Sequence, residues 1–371
     1  MNDGPAADEP PITGTHALPS YARILTRTVF YLWVSQFALL AAIQNPGNDY
    51  DKALLTRMVD GTGHKPFVLR TLLPTTVRLI LAVIPDSLEN TLQDRLGDFE
   101  LFALTSAPDE DHVSLYLVAY TLEWLALIGW LIVLRQGLIH FYGDRGLVTD
   151  MLPILAGMLL PCLYRHVAYD YDFPQLFLFT TGLLLLLRHS WRAYYPILLL
   201  AALGKETALL LPIVHLLGRD SRLTGSSWMK HALAQLGIVG IVRVVLQFVV
   251  FADNPGTGVE VWFSRNVAFL SNTTLMWFWF NEVGHYSLFL PATCNVLFLL
   301  GLPLVVWEWS SKPTVLRRAL WITPLLVVLT FIMGQVDEVR VYYPLVPIFF
   351  WLSAHTLLKM SPRVGSTLRS G

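Results

Sequence analysis

The feature that most constrains this chain is a series of apolar runs, separated by short charged segments and each close to the length that crosses a bilayer. A spanning helix needs about 20 mostly apolar residues. Clean runs lie at 28–44, 114–134, 151–164, 173–187, 231–251, 287–307, 320–336 and 341–358. Composition agrees with this reading. Of 371 residues, 54% are apolar and only 14% are charged, whereas a soluble domain has about 25% charged residues. An ordinary soluble enzyme, a disordered chain and a coiled coil all fit these numbers badly. The 26 basic and 27 acidic residues leave no basic excess for nucleic acid. Cys162 and Cys294 sit inside apolar runs and suggest neither a disulfide framework nor a metal site. The first run has no small-residue cleavage site and is expected to stay as an anchor.

One apolar stretch, 193–217, is interrupted by Gly204-Lys205-Glu206. As a straight span it would leave a lysine and a glutamate at mid-bilayer, at a cost of several kcal/mol. As two half-helices it makes a re-entrant hairpin with the polar pair at its tip, and a cavity can tolerate such broken backbone. The distribution of lysine and arginine favours the hairpin, because basic residues collect on the cytoplasmic side. With a cytoplasmic N-terminus the hairpin puts 15 basic residues inside and four in the short outer segments; a single crossing would give 8 inside and 10 outside. The expected fold is an all-α polytopic membrane protein with about nine full spans and one short re-entrant hairpin. Residues 1–27 would be a cytoplasmic tail, 28–358 a single transmembrane domain, and 359–371 a second cytoplasmic tail.

This sidedness gathers the chemically useful side chains on the outer face. They are Asp49 and Asp51, His166 with Asp170 and Asp172, Lys205 with Glu206, Glu282 with His285, and Asp337 and Glu338 with Arg340. Glu282 and His285 follow a tryptophan-rich stretch and read as interfacial. Glu123 and Arg243, isolated within spans, are expected to pair or hydrogen-bond between helices. The first outer loop, 45–113, carries 11 acidic and six basic residues. Within it, 76–84 and 88–104 have the pattern of helices lying on a membrane surface. Asp49 and Asp51 open this loop at the membrane boundary, where a carboxylate can serve as general base toward an acceptor hydroxyl.

Four short motifs extend the argument. Gly47-Asn48-Asp49 is followed by Gly61 and Pro66-Phe67, and then by Arg70 through Pro74. Leu203-Gly204-Lys205-Glu206-Thr207 precedes an apolar segment ending in Pro212, and Arg340-Val341-Tyr342-Tyr343-Pro344 precedes the last run. In order and sidedness this set resembles the GT-C superfamily of membrane glycosyltransferases. The resemblance implies a GT-C-like helical bundle with surface helices in the first outer loop. It implies a sugar on polyprenyl phosphate as donor and a lipid or glycan as acceptor. Asp49, or Asp51 in its place, would be the inverting base; the family's paired carboxylates are adjacent, whereas these two are separated by Tyr50, so both stay in play. Lys205, Arg340 and Arg70 would hold the donor phosphate, with His166, Asp170, Asp172, Glu206 and Glu338 as further substrate-site candidates. No cofactor is specified, and a divalent metal is left open because no ligand cluster has zinc spacing. The expected location is a bacterial cytoplasmic membrane with the site facing outward. The rival from another class is a transporter or flippase for a lipid-linked or anionic solute, using the broken helix as its binding site.

Overall fold

The computed structural model describes residues 20–43, 51–96, 112–163, 169–218, 224–271, 278–281, 288–291, 301–336 and 338–360. The chain starts with α1 (Ser20–Ile43), the short α2 (Leu55–Asp60), α3 (Leu72–Leu81) and α4 (Asp86–Leu96). The 30-residue α5 (Val113–Tyr142) follows, about 45 Å long at 1.5 Å per residue. Next come α6 (Leu147–Leu159), α7 (Asp172–Leu187), α8 (Trp191–Gly204) and α9 (Leu210–Leu217). α10 (Gly225–Val245) continues through a π turn at Leu246–Val250. α11 (Phe263–Ser271), a short helical stretch at 301–306, α12 (Thr314–Ala319), α13 (Ile322–Met333) and α14 (Val346–Met360) follow.

Among the described residues, five helical segments are long and apolar enough to cross a membrane: Tyr21–Ile43, Val113–Tyr142, Gly225–Val250, Thr314–Met333 and Arg340–Met360. About nine were expected. The runs at 151–164 and 173–187 instead form helices of 13 and 16 residues, short of the usual spanning length. Large apolar side chains point outward from the bundle; Trp33, Phe248, Val249 and Trp321 are 55%, 65%, 70% and 68% exposed. In water such a surface would drive association, whereas hydrocarbon accepts it.

α5 is the central post and packs against α1, α3, α4, α6, α7 and α14. Its closest approach to α14 depends on Gly137. A Cβ there would lie 2.3 Å from the Trp351 ring, and Trp351 is fully buried with its indole N–H donating to the Leu134 carbonyl at 3.1 Å. Gly137→Ala is expected to destabilise the protein by about 1–3 kcal/mol, the scale of overpacking. A thermal melt in detergent checks this, and an unchanged midpoint would mean that Trp351 yields freely.

The polar groups separate to the two ends of the bundle. At one end Asp150, on α6, accepts from Arg23 at 2.5 Å and Arg135 at 2.6 Å, and Arg23 also reaches Asp144 at 2.8 Å. These bonds explain why α1 begins at Ser20 and not at residue 28. Residues 20–27, expected in the N-terminal tail, are helical and tied down through Arg23, whose hydrogen bond also holds the Asp144 carboxyl below the ordinary carboxylate range. Lys312 is buried at the same end, donating to the carbonyls of Leu304 and Leu352 and to the Thr356 hydroxyl.

The hairpin expected at 193–217 is present. α8 stops at Gly204, Lys205 is fully extended (φ −160°, ψ 151°), and a 3-10 turn at Glu206–Leu209 leads into α9. The chain then folds back, because Trp191 at the start of α8 meets His215 near the end of α9, with ring centroids 5.5 Å apart. A second departure from expectation lies further on. Within the run expected at 287–307, Leu288–Pro291 is a strand paired antiparallel with Phe278–Asn281, and only 301–306 is described as helix. Both strand segments are rich in aromatic or bulky apolar residues, which suit a pleated ribbon as well as a helix. In the first loop, α3 and α4 occupy much of the two expected helical stretches; 97–104 lies outside the described residues.

Candidate functional site

The end of the bundle opposite Asp150 is built around the hairpin tip. Breaking a helix frees carbonyls that need new donors. The Leu203 carbonyl accepts from the Thr71 N–H at 2.9 Å, which brings Arg70 and the start of α3 onto the tip. Gly204 lets the tip press against α7, since a Cβ there would meet the Gln175 side-chain oxygen at 2.5 Å. α10 runs back from His215 and Trp228 to the same end and delivers Arg243, whose Nη1 donates to the Leu69 carbonyl at 3.1 Å. The 3-10 segment Val339–Leu345 ahead of α14 supplies Arg340.

The charged groups form two acid-centred sets. In the first, Asp172 at the N-terminus of α7 is 1% exposed. Lys205 Nζ donates to its Oδ1 at 2.9 Å and Arg340 Nη1 to its Oδ2 at 3.3 Å. Arg340 Nη2 donates to Glu338 at 2.6 Å. In the second set, Glu206 accepts from Arg70 at 2.9 Å and 3.4 Å, and Arg243 Nη2 stands 3.6 Å away. Arg70, Lys205 and Arg340 are buried, whereas the Glu206 side chain is 50% exposed.

Two tyrosines lie between the sets. Tyr169 and Tyr171 stack at 5.3 Å with planes 13° apart. The Arg340 guanidinium sits 4.1 Å from the Tyr169 ring centre; Arg70 and Lys205 lie 4.6 and 5.5 Å from that of Tyr171. Arg70 also donates to the Tyr171 hydroxyl. Burial pushes the Tyr169 phenol up to about 12 and raises that of Tyr171 well above its ordinary value, so both serve the cations as neutral rings. A recess with room for a single water, about 10 Å³, opens beside Lys205, Arg340, Gln175 and Thr207. Arg340 Nε and the Gln175 side-chain oxygen are buried there without a hydrogen-bond partner among the described residues.

Sequence-derived candidates thus converge. Lys205, Arg340, Arg70, Asp172, Glu206 and Glu338 share one site, and Asp170 borders it, hydrogen-bonded to the buried Glu123 of α5. Asp51 is placed differently. It opens a 3-10 turn and forms an exposed ion pair with Arg57 at 2.7 Å. Its neighbour Ala53 is buried in one cluster with Phe67, Tyr169 and Tyr171, so the loop start abuts the site. Asp49 and His166 lie outside the described residues. Arg243 and Glu123 were expected to pair or hydrogen-bond between helices; Arg243 instead meets the Leu69 carbonyl and Glu206 at the hairpin tip, and Glu123 meets Asp170 in the turn ahead of α7, so both border this site. The signal was present in Arg243, a lone cation in an apolar run that demands an acidic partner. Among the described residues, no group of three His, Cys, Asp or Glu side chains is arranged to hold a metal ion. No protein-family model, curated protein or solved structure matches the chain.

Proposed function

We propose that the protein is a membrane glycosyltransferase that moves a sugar from a polyprenyl-phosphate donor to an acceptor hydroxyl, with inversion, on the outer face of a bacterial cytoplasmic membrane. The observation that carries this reading is the meeting of Lys205, Arg340 and Arg70 at one end of an apolar bundle, with a buried Arg340 N–H still lacking an acceptor. A leaving lipid phosphate needs charge-assisted donors at membrane depth, and guanidinium groups grip its oxygens through paired N–H bonds. Asp49 is the proposed base. Asp51 is the second choice, because Arg57 already engages it. Asp172 and Glu206 are poor bases, since each is held by two cations.

Arg340→Lys tests the phosphate role. A lysine can still neutralise Asp172, but it cannot reproduce the fork, which here also spans to Glu338 and lies flat on Tyr169. Donor kcat/KM is expected to fall at least ~10-fold, the scale of one charge-assisted hydrogen bond, with a small change in melting temperature. Unchanged kinetics would remove Arg340 from the phosphate site.

Orientation is tested at the two ends of α10. Ser226→Cys is expected to be shielded from an impermeant thiol reagent added outside cells, and Asp253→Cys to be labelled, in a background lacking Cys162 and Cys294. Both positions are exposed. The reversed pattern would put the cation site on the cytoplasmic face.

The broken helix also suits a transporter or flippase, because its polar tip is where such proteins bind ions or anionic solutes. Release of polyprenyl phosphate separates the readings: a transferase cleaves the donor and a flippase returns it intact.

A further inference from the structure

We propose that Arg70 and Arg243 form a second oxyanion subsite, beside the Lys205–Arg340 pair, with Glu206 as its resident counter-ion. The inference rests on the glycosyltransferase reading only in taking Lys205 and Arg340 as the first phosphate subsite.

Charge balance distinguishes the two sets. Lys205 and Arg340 face two carboxylates, Asp172 and Glu338, at hydrogen-bond distance. Among the described residues Arg70 and Arg243 face one, Glu206, so this set carries an unbalanced positive charge there. Hydrogen bonding points the same way. Arg243 Nη1 is used by the Leu69 carbonyl, but its Nε and Nη2 are buried and have no hydrogen-bond partner among the described residues. Nη2 stands 3.6 Å from Glu206, an ion-pair distance beyond hydrogen-bond range. Unmet guanidinium donors are costly where water is scarce, and an oxyanion would satisfy them.

Glu206 provides the opening. Its side chain is 50% exposed, while the Asp172 side chain is 1% exposed. Asp172 is therefore a fixed part of the framework, whereas the Glu206 carboxylate can swing away and yield Arg70 and Arg243 to an incoming anion. The two subsites are close neighbours, because Lys205 and Glu206 are consecutive and Lys205 and Arg70 share the Tyr171 ring. The site thus suits two oxyanions held side by side, carried either by one diphosphate or by two separate anionic groups.

The test uses the full-length protein in detergent, titrated calorimetrically with inorganic phosphate and with pyrophosphate. Glu206→Gln removes the resident carboxylate and is expected to tighten phosphate binding at least ~10-fold, a gain that misfolding cannot produce. Adding Arg243→Gln to that variant should abolish the gain. Two phosphates bound per chain with no preference for pyrophosphate would support two separate anionic groups. One pyrophosphate displacing both phosphates would support a diphosphate ligand. Unchanged or weaker phosphate binding in Glu206→Gln, or a gain that survives Arg243→Gln, would overturn the second subsite. Lys205→Met reports separately on the first subsite. If it leaves phosphate binding intact while the Glu206→Gln gain persists, the second subsite stands and the donor-phosphate reading falls.

Discussion

Asp172→Asn is expected to be the most damaging single substitution at the site end of the bundle. The carboxylate is almost wholly buried and takes a hydrogen bond from Lys205 on one oxygen and from Arg340 on the other. Asparagine keeps the size but removes the charge, leaving two buried cations short of their shared partner. Breaking a buried pair in this way costs about 3–5 kcal/mol, because the remaining charge cannot be rehydrated. The loss should appear as a large drop in melting temperature in detergent. The double variant Asp172→Asn, Lys205→Met should recover part of it, since one stranded cation is removed and Arg340 keeps Glu338. That recovery, read as a double-mutant coupling, separates lost pairing from lost packing. A single variant as stable as the wild type would show that Lys205 and Arg340 do not depend on Asp172.

The second large effect is on chemistry. Asp49→Asn is expected to lower turnover at least ~100-fold, the lower range of general-base catalysis, with donor binding and melting temperature nearly unchanged. The substitution keeps a hydrogen-bonding group but removes the lone pair that takes the acceptor proton. Asp51→Asn should cost less activity, because Asp51 is already committed to Arg57 in an exposed pair, and exposed pairs contribute only about 0–1 kcal/mol. Steady-state rates of the two variants with one donor decide the assignment. Equal rates for Asp49→Asn and wild type would free Asp49 of the role.

The sequence made part of this arrangement legible for identifiable reasons. The hairpin was readable because a glycine, a lysine and a glutamate cannot sit quietly inside an apolar run, and the lysine and arginine bias chose the fold-back. Arg70, Lys205 and Arg340 were readable from their places at the starts or breaks of apolar segments. Their partners were harder to foresee. Asp172 is 168 residues from Arg340 and Glu206 is 136 from Arg70, and no local pattern encodes such pairings. The same limit hid the true start of α1, which depends on acids more than 120 residues away. Hydropathy alone also could not foresee the strand pair at Phe278–Asn281 and Leu288–Pro291, because bulky apolar residues suit a ribbon as readily as a helix. Only the stacking of Tyr169 on Tyr171 reveals them as the platform between two cation sets.

The role proposed for the cation cluster at the hairpin tip is to hold the phosphate of a lipid-linked sugar while that sugar is transferred. That role is read out as the release of polyprenyl phosphate when the purified protein is incubated with polyprenyl-phosphate sugars and candidate hydroxyl acceptors. Acceptor-dependent release is expected, falling sharply in Lys205→Met and in Asp49→Asn. Intact donor under every acceptor condition, together with movement of the same lipid across a vesicle bilayer, would contradict it and identify the site as that of a flippase.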